Sequence, residues 1–292
     1  MWQAIEQSIS DVTGQAFTVS THRVVSGGSI NKAACLEGGH RRFFVKTNKP
    51  DLVGMFQAEA AGLSAIRSSH TIRAPKPITW GADGENSWLV LEFVEFAEGS
   101  SGTSAALGEQ LAAMHRLSAD SFGWQRDNTI GSTRQINTPN KDWASFFGQH
   151  RLSFQLELAA GNNVSSAIID GCSQLLEVLP SFFTGYKPQP SLLHGDLWGG
   201  NWAADTAGEP VIFDPAVYFG DRETDIAMSE LFGGFNHRFY QAYGAAWPLD
   251  PGYCVRKTLY NLYHILNHYN LFGGNYAHQA QRMINTLLAE VS

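Results

Sequence analysis

Cysteine is scarce in this chain, with three in 292 residues, at positions 35, 172 and 254. No two of them stand as Cys-x-x-Cys, so neither a zinc site nor a disulfide framework is indicated. Charge is sparse too. Asp, Glu, Lys and Arg make up 16% of residues, with a formal net charge of −7 and a pI of about 5.8. A nucleic-acid binder should carry a basic face, and this acidic balance argues against one. No apolar run reaches the ~18 residues that a membrane-spanning helix needs. The first residues, MWQAIEQSISDV, lack the basic-then-apolar order of a secretion signal. The glycine-rich motifs G-x-x-x-x-G-K-[ST] and G-x-G-x-x-G are missing as well. A reduced, cytoplasmic, monomeric protein without a nucleic-acid or membrane partner is the expectation left.

What is present is apolar sequence in two textures. Hydrophobic residues make up 43% of the chain, enough for a sizeable core. In the first third, AFTVSTHRVVSGG, INKAACLE, RRFFVKTN, PITWGAD and SWLVLEFVE are short β-prone runs broken by Gly, Asn and Asp. One helical segment, Leu52 to Arg67, interrupts them. From about Ser104 the pattern is helical, apart from the short runs SLLHGD and PVIFDP. The reading is an α+β fold with two lobes: a small β-rich lobe over 1–95 and a larger α-helical lobe over 96–292.

The chemistry concentrates in LLHGDLWGGNW, Leu192 to Trp202. Phosphoryl transfer needs a group to orient the acceptor hydroxyl, ligands for magnesium, and cations on the nucleotide phosphates. Asp196 and Asn201 have the D-x-x-x-x-N spacing of a kinase catalytic loop. In that reading Asp196 accepts the hydroxyl proton and Asn201 offers a hard oxygen to Mg²⁺. Gly199 and Gly200 allow a tight turn. Asp214, in VIFDP, is the expected second metal ligand, and the segment WAADTAGEPV before it reads as a β-hairpin. The cation is Lys46, at the end of FFVK. In the following helix Leu52, Phe56, Leu63 and Ile66 form an apolar stripe, and Glu59 lies within it. A carboxylate there is costly unless paired, and Lys46 is its natural partner. Gly27, Gly28 and Ser29, in SGGSIN, are candidates for backbone contacts to phosphate. Backbone groups of Glu92 and Val94, after the strand ending near Leu91, are candidates for adenine.

Taken in order, these residues resemble the protein-kinase-like fold of small-molecule kinases, the aminoglycoside/choline phosphotransferase type, whose loop reads H-G-D. The resemblance tightens to the fructosamine kinase (ketosamine/ribulosamine 3-kinase) family through SGGSIN, FFVKTN, EAAGL, LVLEFVE, FGWQRDNTIGSTRQIN, HGDLWGGNW and FDPAVYFGDRETDIAM. It implies an ATP- and Mg²⁺-dependent enzyme that phosphorylates a sugar hydroxyl of ketoamine adducts on lysine or small amines, a deglycation step. It suggests the 3-hydroxyl. A kinase for an aminoglycoside, choline or another amino alcohol is the alternative, and a non-catalytic nucleotide-binding module a third. Only ten residues separate Asp214 from Asp225, which leaves no room for a phosphorylatable activation loop.

Substrate contacts are assigned more loosely. Trp198, two residues from the proposed base, reads as a platform for a sugar face or as a core residue beneath the loop. Asp221, Glu223 and Asp225 could attract the protonated amine, with Asp225 better suited to capping the next helix and bracing the catalytic loop. Asn128 and Gln135 lie in a polar segment, Trp124 to Pro139, that suits sugar hydroxyls or solvent equally. His194 is expected to orient the loop through hydrogen bonds. His264 and His268 have a metal-compatible spacing but no evident third ligand, and are expected to be structural.

Overall fold

The computed structural model describes residues 1–25 and 30–291. The chain divides into two compact units, Met1–Thr103 with Trp202–Pro215, and Ser104–Asn201 with Ala216–Ser292.

In the first unit, strands β1 (Thr21–Val25), β2 (Lys32–Gly38), β3 (Arg41–Asn48), β4 (Pro77–Ala82) and β5 (Ser87–Glu92) form an antiparallel sheet in the order β1-β2-β3-β5-β4. Side chains alternate along a strand. Ala34 and Leu36, Phe43 and Val45, and Trp88 and Val90 therefore share one face. The helix that covers it, α1 (Trp2–Thr13), was not anticipated from the sequence. Its Ile5 and Ile9, four apart, are fully buried in that cluster. Lys46, next to Val45, emerges on the opposite face and meets α2 (Val53–Ser68). In α2 the expected stripe is largely realised, with Phe56, Leu63 and Ile66 fully buried. A second, three-stranded sheet joins β6 (Phe96–Ala97) to the hairpin of β10 (Trp202–Asp205) and β11 (Pro210–Ile212). The hairpin read from WAADTAGEPV is thus present. The contiguous boundary at 95/96 differs from this division, because β6 pairs with β10 and draws both segments into the first unit.

The second unit begins in α3 (Ser101–His115) and contains the hairpin of β7 (Asn128–Ile130) and β8 (Thr133–Gln135). Next come α4 (Trp143–Phe147), a π-helical turn at Gly148–Ser153, α5 (Phe154–Gly161) and α6 (Ser166–Val178). Two short strands, β9 (Ser191–Leu193) and β12 (Tyr218–Gly220), pair antiparallel. The unit closes with α7 (Glu223–Leu231), α8 (His237–Ala246), α9 (Tyr253–Phe272) and α10 (Tyr276–Ala289). Helix α9 is buried without a break from Leu259 to Asn267, as expected of a helix surrounded by others; α5, α7 and α10 pack on it. No helix among the described residues is long and apolar enough to cross a membrane.

Candidate active site

In the first unit, Lys46 is buried, and its Nζ donates to Glu59 Oε1 at 2.7 Å and to Asp214 Oδ1 at 2.6 Å. Burial opposes the ammonium charge, but the carboxylates of Asp214 and Glu59 outweigh it and hold the group above its ordinary pKa. The pairing read from one lysine and one helical glutamate is therefore present. It extends to the carboxylate predicted to take metal. Asp214 itself is exposed and has φ of 58°, a left-handed conformation that Asp tolerates better than most residues. The Glu92 N–H donates to Lys76 O at 2.8 Å, so that donor is engaged inside the protein. Val94 is half-buried, two residues on. Gly27, Gly28 and Ser29 lie outside the described residues.

Two further residues of this unit had no sequence signal. Arg73 pairs with Asp205 and, at 3.6 Å, with Glu92, while Asp205 also caps the turn by accepting from the N–H groups of Ala207 and Glu209. Their partners are too distant in sequence for any spacing rule to join them.

In the second unit, the loop after β9 carries the remaining chemistry. Its glycine has a structural cause. Gly195 has φ of 83°, and a Cβ there would lie 2.1 Å from Ala216 O. Asn201 is buried and folds back, so that Nδ2 donates to Asp196 O at 2.8 Å and to Asp196 Oδ2 at 3.2 Å. That contact is the reason for an amide five residues after the acid: its nitrogen orients Asp196, and its oxygen is the atom suited to a cation. Beneath the loop, Asp225 Oδ2 accepts from the His194 N–H at 2.7 Å and Oδ1 from the Gly195 N–H at 2.8 Å. His115 Nε2 adds a third bond to Oδ2 at 3.1 Å, and Tyr243 O–H completes the imidazole at Nδ1. Burial pushes the Asp225 carboxyl up, but His115, His194 and the Gly195 N–H overcome this and set it below the ordinary value. His194 is fully buried, and its Nδ1 accepts from the Asp196 N–H at 3.3 Å.

Trp198 is 41% exposed, and its ring lies over Gly200, where a Cβ would come within 2.3 Å of it. A core position for Trp198 is thereby set aside. Gly199 makes an equally close approach to the backbone of Gly233 and Gly234.

The structure corrects the readings of five residues. Asp221 is buried and takes hydrogen bonds from Tyr260 Oη at 2.5 Å, Tyr186 Oη at 2.9 Å and the Glu223 N–H at 3.0 Å. Glu223 is fully buried and paired with Arg256 through Nε at 2.8 Å and Nη2 at 3.1 Å. Neither is placed to draw a substrate ammonium from solvent. The start of α7 is served by Asp221, whereas Asp225, one turn in, is turned toward the catalytic loop. Asn128 and Gln135 are buried as well. Asn128 Nδ2 donates to Val217 O at 2.7 Å, and Gln135 Nε2 to Asn128 Oδ1 at 2.8 Å and Ala216 O at 3.0 Å. Their amides are spent inside the protein. His264 is buried and burial pushes its imidazole down to about 3, while His268 Nδ1 meets the His264 carbonyl at 2.8 Å. Also unforeseen was Arg151, fully buried on the π-helical turn. An arginine inside the aromatic run FFGQHRLSF was the available clue.

Among the described residues no three His, Cys, Asp or Glu gather to hold a metal. Kinase magnesium sites ordinarily combine one or two protein ligands with substrate phosphates, and the exposed Asp214 carboxylate and the Asn201 amide oxygen suit that chemistry.

Comparison with known proteins gives the family. The sequence profile described as fructosamine kinase matches residues 1–290. A probable ketoamine kinase of Synechocystis sp. is 50% identical over 291 residues, covering 98% of this chain and 97% of its own. The chloroplastic protein-ribulosamine 3-kinase of Oryza sativa subsp. japonica is 44% identical, covering 94% of this chain and 81% of its own. Among solved structures, a protein assigned as a fructosamine-3-kinase from Haemophilus somnus 129PT superimposes with a TM-score of 0.92 at 29% identity, covering 99% of this chain and 98% of that one. A thermostable mutant of aminoglycoside phosphotransferase APH(4)-Ia, solved in a ternary complex with ADP and hygromycin B, shares the fold at a TM-score of 0.62 and 16% identity, with 98% of each chain covered. With its kinase-like fold and a full-length match, the chain belongs to the fructosamine kinase family.

Proposed function

We propose that this protein is an ATP- and magnesium-dependent kinase that phosphorylates a sugar hydroxyl of ketoamine adducts, ribulosamine, erythrulosamine or fructosamine on lysine or small amines. The observation that carries the reading is the complete set of Lys46, Glu59, Asp196, Asn201 and Asp214 in a member of this family. A nucleotide-binding module without turnover would have no use for an oriented base. In the reaction, Asp196 accepts the proton as the acceptor oxygen attacks the γ-phosphorus. The bond to the β,γ-bridging oxygen breaks, ADP leaves, and the proton passes from Asp196 to solvent. Lys46, held by Glu59, neutralises the α- and β-phosphates. Asn201 and Asp214 would hold magnesium, which neutralises phosphate charge.

The acceptor reading rests on the family and on the exposed face of Trp198, since Asp221, Glu223, Asn128 and Gln135 are engaged internally. The name of the rice relative supports the 3-hydroxyl. A cytoplasmic setting suits three unpaired cysteines, two of them buried. The test is kcat/KM for ribuloselysine and fructoselysine against choline and an aminoglycoside, with Trp198→Ala beside wild type. Turnover of the ketoamines alone is expected, with a raised ketoamine KM in the variant. Efficient use of either competitor and no ketoamine turnover would overturn the assignment.

A further inference from the structure

The polar segment between Trp124 and Pro139 could suit sugar hydroxyls or solvent by its composition, yet the amides of Asn128, Gln135 and Asn137 are buried. Their connections run in one direction. Arg151 Nη1 donates to Ile136 O at 2.6 Å and Nη2 to Asn137 Oδ1 at 2.7 Å. Asn137 Nδ2 donates to Asn128 Oδ1 at 3.0 Å, the oxygen that also accepts from Gln135. Tyr263 Oη donates to Gln135 Oε1 at 2.8 Å, so both ends of the Gln135 amide are fixed. The chain of amides ends on two adjacent carbonyls, Ala216 O and Val217 O.

Those carbonyls bear on the catalytic loop. The Ala216 N–H donates to His194 O at 2.8 Å, and Ala216 O is the atom under which Gly195 must lack a side chain. Gln135 thus holds the same carbonyl that sets the height of Gly195, one residue before Asp196. The source of the grip is unusual. Arg151 is fully buried, and among the described residues no carboxylate lies within ion-pair distance of it. Its guanidinium instead lies over the rings of Tyr218, Phe146 and Tyr263, at 4.1, 4.8 and 5.8 Å. A buried charge with neutral acceptors polarises them and strengthens the bonds they make onward. A π-helical turn, a device frequent at functional sites, brings it there.

We infer that Gln135 and Asn128, anchored by Arg151 through Asn137, are positioning residues: they clamp the 216–217 backbone and thereby fix Gly195 and the base Asp196. The inference rests on the kinase reading for its consequence in turnover, and on the geometry alone for its consequence in rigidity. Direct sugar contact is the competing role for the same two residues, and it predicts different kinetics.

The experiment compares wild type with Gln135→Leu. Rates are measured on ribuloselysine and fructoselysine, and amide hydrogen exchange is followed on the unliganded protein. Clamping predicts that kcat falls about ten- to a hundred-fold, by the same factor for both sugars, with KM for each sugar and for ATP within about threefold. Exchange should rise in peptides spanning 193–197 and 215–219 and stay unchanged in α10. A KM rise confined to one sugar, with kcat retained, would overturn the inference in favour of substrate contact. Unchanged exchange at 193–197, or a rise spread through α10, would overturn it too. Should Gln135→Leu not fold, Tyr263→Phe removes one bond to Gln135 and predicts the same pattern on a smaller scale. If wild type turns over neither sugar, the kinase reading fails, while the exchange comparison still decides the clamp.

Discussion

Replacing Asp225 with Asn tests how much the catalytic loop depends on one buried carboxylate. The side chain keeps its shape and loses one acceptor. In the wild type, Oδ2 accepts from two donors, the His194 N–H and His115 Nε2, and Oδ1 from the Gly195 N–H alone. In the Asp225→Asn variant the amide oxygen would stay with the two donors, which turns the NH₂ toward Gly195. One charge-assisted bond is then replaced by a donor facing a donor. Such a bond is worth about 1.5–3 kcal/mol, and a buried unsatisfied donor costs about 1–3 kcal/mol. About 3 kcal/mol of lost stability is a conservative sum. For a chain of this size each kcal/mol moves the midpoint by roughly 2–4 °C, so thermal denaturation should shift by roughly 6–12 °C. Because the orphaned N–H belongs to the residue before Asp196, kcat on a ketoamine should fall at least about tenfold, with ATP KM little changed. The wild-type contribution also depends on pH. The carboxyl is held below its ordinary value, so its stabilisation is complete above the unfolded pKa of about 3.9 and is lost as pH falls through the lower folded value. The variant's deficit should therefore be constant near neutrality and narrow only in strong acid. A midpoint within 2 °C of wild type (roughly 1 kcal/mol or less) together with unchanged kcat would refute the bracing argument.

Three other changes follow from the same geometry. Asp196→Asn should fold and bind ATP while turnover drops by roughly 10²–10⁴; near-normal initial rates would remove Asp196 from the mechanism. Gly195→Ala introduces a Cβ 2.1 Å from Ala216 O at a positive φ, and soluble protein with wild-type activity would contradict the packing described. Lys46→Met leaves the Glu59 carboxyl unpaired inside the first unit at a cost of about 3–5 kcal/mol. Adding Glu59→Gln should recover part of the stability and none of the activity, measured by denaturant midpoint and ATP consumption; simple additivity would argue against direct pairing.

The reach of sequence reasoning follows from how each feature is encoded. Asp196 and Asn201 are joined by a short loop, so their spacing alone constrains the contact between them, and Gly195 is legible because its neighbours in the motif are. Lys46 and Glu59 were paired across two elements because each breaks an apolar pattern, and a broken pattern is visible in one dimension. The helix α1 was missed for the converse reason: Ile5 and Ile9 are too few apolar positions to stand out until the sheet face they cover is known. Asn128, Gln135, Asp221 and Glu223 were expected at the surface because polar residues usually are. Their burial depends on remote partners. Tyr263 stands 128 positions from Gln135, and Val217 stands 89 from Asn128. No local pattern records such a partner. The Lys46–Asp214 contact likewise joins residues 168 apart.

The abutment of Gly199 on Gly233 and Gly234 has a consequence for anyone recruiting this scaffold to new acceptors. It is a junction of bare backbone, in which a Cβ on Gly199 would sit 2.7 Å from Gly234 Cα and one on Gly234 only 2.4 Å from Gly199 Cα. Randomising codons 199 or 234 would chiefly yield misfolded clones, and so would codon 200 unless the Trp198 ring over it were shortened in the same gene. Diversity is better spent on the side chains flanking the junction, Trp198 on one side and Phe232 on the other, both of which are substantially exposed. A library built on those two positions keeps the junction of glycines as a fixed datum and varies only the surface it presents.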